Sequence, residues 1–199
     1  VQLAAAGVGD TPADLPLADA VAPSAAPSPA PLLSAPATGS RRVSDATAAT
    51  QLGEFFHACL EAHAPPGRAL DLDALALSLG LDRATRDAVH ANASALLTSP
   101  ALARFFDPAH YRQAHNEYEL WLADARTIRL DRLVEFDDAL WVLDYKTGDA
   151  DRVASDAELI ERHADQLGSY VMALATLHPG KLVRAAVLTA DARLVELPA

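Results

Sequence analysis

Between Thr127 and Thr147 the chain reads TIRLDRLVEFDDALWVLDYKT, two runs of apolar, β-branched and aromatic residues joined at Asp137-Asp138. Such runs on either side of a polar turn read as a β-hairpin. A turn centred on the Asp-Asp pair sets Asp131 opposite Asp144, with both side chains on one face. Lys146 follows Asp144 by two residues, so strand alternation puts it on the same face, with Leu133, Leu140 and Val142. The opposite face takes Leu130, Val134, Trp141, Leu143 and Tyr145. Both faces are apolar, so the hairpin is expected to be covered on both sides.

The charged residues are the anomaly. Cross-strand neighbours have Cβ atoms roughly 4.5–5.5 Å apart, and like charges there destabilise a sheet. Two carboxylates so close push one pKa upward unless something positive sits between them. A divalent cation removes the conflict; oxygen ligands suit Mg²⁺ or Mn²⁺, and a neighbouring lysine can orient a water and neutralise charge on a phosphate. The alternative is structural: Asp144 and Lys146 as a surface pair, with Asp131 paired to Arg129 or Arg132.

The flanking sequence frames this hairpin. Residues 1–45, including LPLADAVAPSAAPSPAPLLSAPATGS, are rich in Ala, Pro and Ser without periodicity and read as a linker or tail. The first residues, VQLAAAGVGD, read as the cut edge of a longer protein. Residues 46–108 read as helical. Leu52, Phe55, Phe56, Cys59 and Leu60 mark one face of a helix that Pro65-Pro66-Gly67 must end. A second helix spans Asp82 to Leu97, and a short one follows near Ala101–Phe106. In residues 109–199, NEYELWLA is a strand before the hairpin. AELIERHADQLGSYVMALATLH is a long amphipathic helix, and LVRAAVLTA and RLVELP are two closing strands. The expectation is an α+β fold, with a mixed sheet flanked by helices.

With 51% hydrophobic residues the chain can fill a core. A net charge of −11 gives no general attraction to nucleic acid or anionic membranes, so any DNA must be held by a local site or a basic partner. One cysteine, Cys59, excludes a four-cysteine zinc or iron–sulfur site held by the chain alone, and fits a cytoplasmic setting. No run of 18 apolar residues is present, so no membrane span is expected.

Four pieces in order, LGEFFHACLE, LDRLVEF, WVLDYKTG and DQLGSYVMAL, resemble the nuclease domain of the RecB/AddA group in the PD-(D/E)XK superfamily. The likeness runs over roughly Gln51 to Leu197. It departs at Ile128, where the group has glycine, and at Leu130, where the superfamily's eponymous proline would stand. The resemblance implies a restriction-endonuclease-like core and Mg²⁺- or Mn²⁺-dependent DNA hydrolysis, exonucleolytic and acting on single strands. It implies a fused or associated superfamily 1 helicase in double-strand-break repair, and no iron–sulfur cluster. By the same likeness His57, Asp131, Asp144 and the Tyr145 carbonyl hold the metal. Lys146 positions water, and Gln166 and Tyr170, four apart on the long helix, border the site. A nuclease-like scaffold or DNA-end-binding module that no longer cuts is the rival reading. For His57 a core histidine is the alternative; for Gln166 and Tyr170, a solvated glutamine and a packing tyrosine. Glu117, on the strand before the hairpin, is an acid that supports the site from behind its ligands or a plain surface residue; Asp165 is a solvated one. His63, His90, His110, His115, His163 and His178 have no ligand-like spacing and no assigned role.

Overall fold

The computed structural model describes residues 40–122 and 127–198. The Ala/Pro-rich segment therefore lies outside the described residues as far as residue 39. Helix α1 (Ser40–His63) starts several residues before the expected boundary near residue 45. It buries Phe55, Phe56, Cys59 and Leu60, the face the sequence spacing marks, and the Pro65-Pro66 pair follows its end. Two further helices complete this part, α2 (Leu72–Ser78), absent from the sequence reading, and α3 (Arg83–Leu97). Each is started by an aspartate that accepts a main-chain N–H, Asp71 from Ala74 at 2.9 Å and Asp82 from Thr85 at 2.7 Å. The short α4 (Ala103–Phe106) adds Phe105 and Phe106 to the core.

The sheet runs β1 (Gln113–Trp121), β2 (Thr127–Glu135), β3 (Ala139–Lys146), β4 (Leu182–Thr189), β5 (Leu194–Glu196), in that spatial order among the described residues. Neighbours are antiparallel except β3 and β4, whose parallel pairing needs a long crossover. The crossover is α5 (Asp149–Val153) and α6 (Asp156–Leu177), the latter opened by a capping box between Ser155 and Glu158. Central β3 is buried from Ala139 through Tyr145, as a strand covered on both faces must be. Its alternate residues feed two cores. Trp141, Leu143 and Tyr145 pack with α1, α3 and α4, whereas Leu140 and Val142 pack with Leu159, Leu167 and Leu174 of α6. Helices on a mixed sheet make this the α+β architecture expected.

The hairpin keeps the register read from its turn: Leu133 pairs with Val142 and Glu135 with Leu140. Its ladder stops at Arg132–Leu143, one pair short of Asp131 and Asp144. A second departure lies on the other edge of β2. Ladder pairs flank Glu117 and Asp131, Asn116 with Arg132 and Tyr118 with Leu130, but Glu117 has a left-handed φ of 49°. Across that point both strands exchange faces. Asn116 and Arg132 reach toward α1 and α4, while Leu120 and Leu130, with Tyr118 packed beside them, join the α6 core. Leu130 thus leaves the face that simple alternation gives it.

Candidate active site

The kinks at Glu117 and Asp131 lie beneath α1. Gly53 brings that helix close to the end of β3; a Cβ at this position would stand 2.8 Å from Thr147 Oγ1. One turn later His57 turns toward the sheet, off the buried face of its own helix. Its Nδ1 lies 3.6 Å from Asp131 Oδ1 and 3.9 Å from Glu117 Oε1. The Tyr145 ring meets the imidazole edge-on, with centroids 5.6 Å apart. His57, Glu117 and Asp131 each offer a ligand atom within 4.8 Å of the others, the one such group of three or more among the described residues.

Electrostatics explain what holds these groups together without an ion. Burial alone would lower the His57 pKa, but the Asp131 and Glu117 carboxylates outweigh it and push it up to about 10. The imidazolium is therefore the counter-ion of the pair. A folded pKa above the unfolded one contributes stability that is full below about pH 6.5. That contribution fades as pH rises through about 10. Glu117 has a second partner, Arg129 Nε at 2.9 Å from Oε2. Glu117→Gln should consequently lower the His57 pKa and weaken uptake of Mn²⁺. An NMR pH titration of the imidazole and calorimetry with Mn²⁺ check the two effects.

On the other side of Asp131 stands a second set. Asp131 Oδ2 accepts the Tyr145 main-chain N–H at 2.6 Å, which takes up the donor freed where the ladder stops. Asp144 is 2% exposed, and its Oδ1 accepts from Gln166 Nε2 at 3.0 Å. Its Oδ2 is paired with the Lys146 ammonium, 2.6 Å from Nζ. Lys146 Nζ donates to Gln166 Oε1 at 3.1 Å, and Gln166 Nε2 also donates to Tyr170 Oη at 2.6 Å. Burial and the Asp131 charge raise the Asp144 pKa, against the pull of Lys146. Burial pushes the Tyr170 phenol up to about 12, so it stays neutral.

All the residues marked in sequence thus border one region, though not as a single cluster. His57 and Asp131 are joined by Glu117. Asp144 and Lys146 are joined through Gln166 and Tyr170 and lie outside the three-donor group. Tyr145 enters through its N–H and its ring. Neither arginine proposed as a structural partner of Asp131 takes that role: Arg129 pairs with Glu117, and Arg132 is wholly buried toward α4. Asp165 is exposed, as expected. Glu117 was ambiguous in sequence because no short turn motif there fixes the register of its strand against the next; knowing that Tyr118 faces Leu130 would have placed it against Asp131.

The donor set fits a hard divalent cation. Two carboxylates and one imidazole from three elements converge, and the Asp131 charge also acts on the buried Asp144 carboxyl. Among the described residues no helix is long and apolar enough to cross a membrane. A search of curated proteins found no similar sequence. The family model described as the PD-(D/E)XK nuclease superfamily matches residues 33–197, which spans both sides of this region and every element that builds it. The chain belongs to the PD-(D/E)XK nuclease superfamily.

Proposed function

We propose that this domain hydrolyses DNA phosphodiester bonds with Mg²⁺ or Mn²⁺. The convergence of His57, Glu117 and Asp131 carries the reading. These three would hold the ion, with Asp144 and the Tyr145 carbonyl completing its surroundings. Bound there, a divalent cation supplies Lewis-acid polarisation of a phosphoryl oxygen and lowers the pKa of a coordinated water. The chain's own groups do the rest. Lys146 presents an ammonium beside Asp144, where it orients the attacking water and offsets negative charge that grows on the phosphate. Asp144, its pKa raised, is placed to accept a proton from that water. Gln166 holds both partners at once, and neutral Tyr170 fixes Gln166.

The RecB/AddA resemblance supports a finer assignment: an exonuclease domain of a cytoplasmic helicase–nuclease for double-strand-break repair, without an iron–sulfur cluster. A superfamily 1 helicase, fused or associated, would deliver single strands that an acidic chain does not gather for itself. A non-cutting scaffold is the second reading, favoured by the net charge of −11 and by Ile128 in place of glycine. The purified chain should cleave end-labelled single-stranded DNA faster than duplex, with Mg²⁺ or Mn²⁺ and not with chelator. Mn²⁺ binding without cleavage of either substrate would favour the scaffold; chelator-resistant cleavage would overturn the metal mechanism.

A further inference from the structure

Away from the reaction centre, the last residue of α1, His63, meets His90 of α3. Their Nε2 atoms are 3.2 Å apart, and the rings stand nearly perpendicular at 86°. Both line a cavity of about 560 Å³ whose other polar walls are Asp71, Asp73, Asp87 and Arg86. The carboxylates are engaged: Asp71 caps α2, while Asp73 and Asp87 lie 2.7 and 2.8 Å from Arg86. The two imidazole nitrogens have only each other among the described residues.

We propose that His63 and His90 form a clip for a borderline transition ion, Zn²⁺ or Cu²⁺, that fastens α1 to α3. Two nitrogens bound to one tetrahedral ion at about 2.0–2.1 Å stand about 3.3–3.4 Å apart, nearly the separation already present. In the ion-free pair one imidazole donates its Nε2 proton to the other. To bind, that ring carries its proton on Nδ1 instead, so both Nε2 lone pairs face the ion and no proton is lost. Two protein donors leave the remaining positions to water or to a carboxylate. Asp87 is nearest in sequence, one turn before His90 on α3. Nitrogen donors select against Mg²⁺, which separates this clip from the carboxylate-rich centre at Asp131. Clip and centre share a helix, since His57 lies six residues before His63 on α1.

The clip does not rest on the nuclease reading, and a His57→Ala chain, stripped of the nitrogen donor at the other centre, tests it. Equilibrium dialysis with Zn²⁺ should load this chain with one tightly held ion. Adding His63→Ala or His90→Ala should abolish that ion while the circular dichroism spectrum is retained. With Cu²⁺, electron paramagnetic resonance should display hyperfine splitting from two imidazole nitrogens, falling to one in either added variant. Zn²⁺ should also raise the melting temperature by roughly 5 °C in the His57→Ala chain and leave it unchanged when His90 is replaced. Unaltered Zn²⁺ uptake in the His90→Ala variant, or a Cu²⁺ spectrum with one nitrogen before either added substitution, would overturn the clip.

Discussion

Lys146→Met should reduce cation-dependent DNA cleavage by about 10²–10⁴-fold, the range of losses when a group that stabilises developing charge or a proton-transfer partner is removed. Methionine keeps the apolar stem of the side chain and deletes the ammonium. The ammonium touches Asp144 Oδ2 and Gln166 Oε1, so its loss should cost stability, by leaving a buried carboxylate unpaired, as well as turnover in the molecules that remain folded. Without it, Asp144 faces burial and the Asp131 charge unopposed, and its pKa should climb further. Protonated Asp144 no longer accepts a proton from water, and the two groups therefore act as a unit. The Asp144→Asn, Lys146→Met double variant should for that reason lose no more activity than either single change. It should also be no less stable than the parent, because it removes a buried charge pair rather than half of one. Single-turnover cleavage at saturating Mn²⁺, alongside urea denaturation, measures both. Additive losses would show that the pair is not a unit, and undiminished cleavage by Lys146→Met would remove it from the mechanism.

The hairpin was legible because its turn is short and its two faces are apolar. Those features specify a register without tertiary information, and Leu133–Val142 pairs as the turn dictates. Gln166 and Tyr170 were legible for a similar reason, since four residues on a helix define a face. Periodicity could not reveal the place where periodicity fails. Alternation assigns Leu130 and Arg132 to one side, but the kink at Glu117 and Asp131 sends Leu130 to the α6 core and Arg132 to the α1 side. Glu117 gained its place in the donor group from the same kink. The seven-residue α2 and five-residue α5 were missed because helices this short hold too few residues for a repeating pattern to show. His63 and His90, 27 residues apart and on different helices, meet only through the packing of α1 on α3.

Arg132 is where that kink meets the stability of the fold, and Arg132→Ala should destabilise the domain by about 3–5 kcal/mol. The side chain is 0% exposed and is neutralised by no carboxylate among the described residues. Its guanidinium is satisfied by dipoles instead. Nε and one terminal nitrogen donate to Phe105 O at 3.0 and 2.7 Å, the same terminal nitrogen donates to Pro65 O at 2.9 Å, and the other donates to Asn116 Oδ1. The Phe106 ring lies 4.8 Å from its central carbon. Asn116 carries the network onward, its Nδ2 donating to Ala64 O at 2.7 Å just past the end of α1. One planar cation therefore ties together β1, β2, α4 and the turn that ends the His57 helix. Alanine would take the Arg132 donors from Phe105 O and Asn116 Oδ1 and open a cavity, while Pro65 O would keep the Tyr111 hydroxyl at 2.9 Å. Lysine keeps the charge but gathers its donors at one point, so it cannot span Phe105 O and Asn116 Oδ1 together, and should recover less than half of the loss. Urea denaturation with an unchanged m-value measures the effect. An Arg132→Lys midpoint equal to that of the parent would mean that charge alone, and not the fork of donors, is what this position requires.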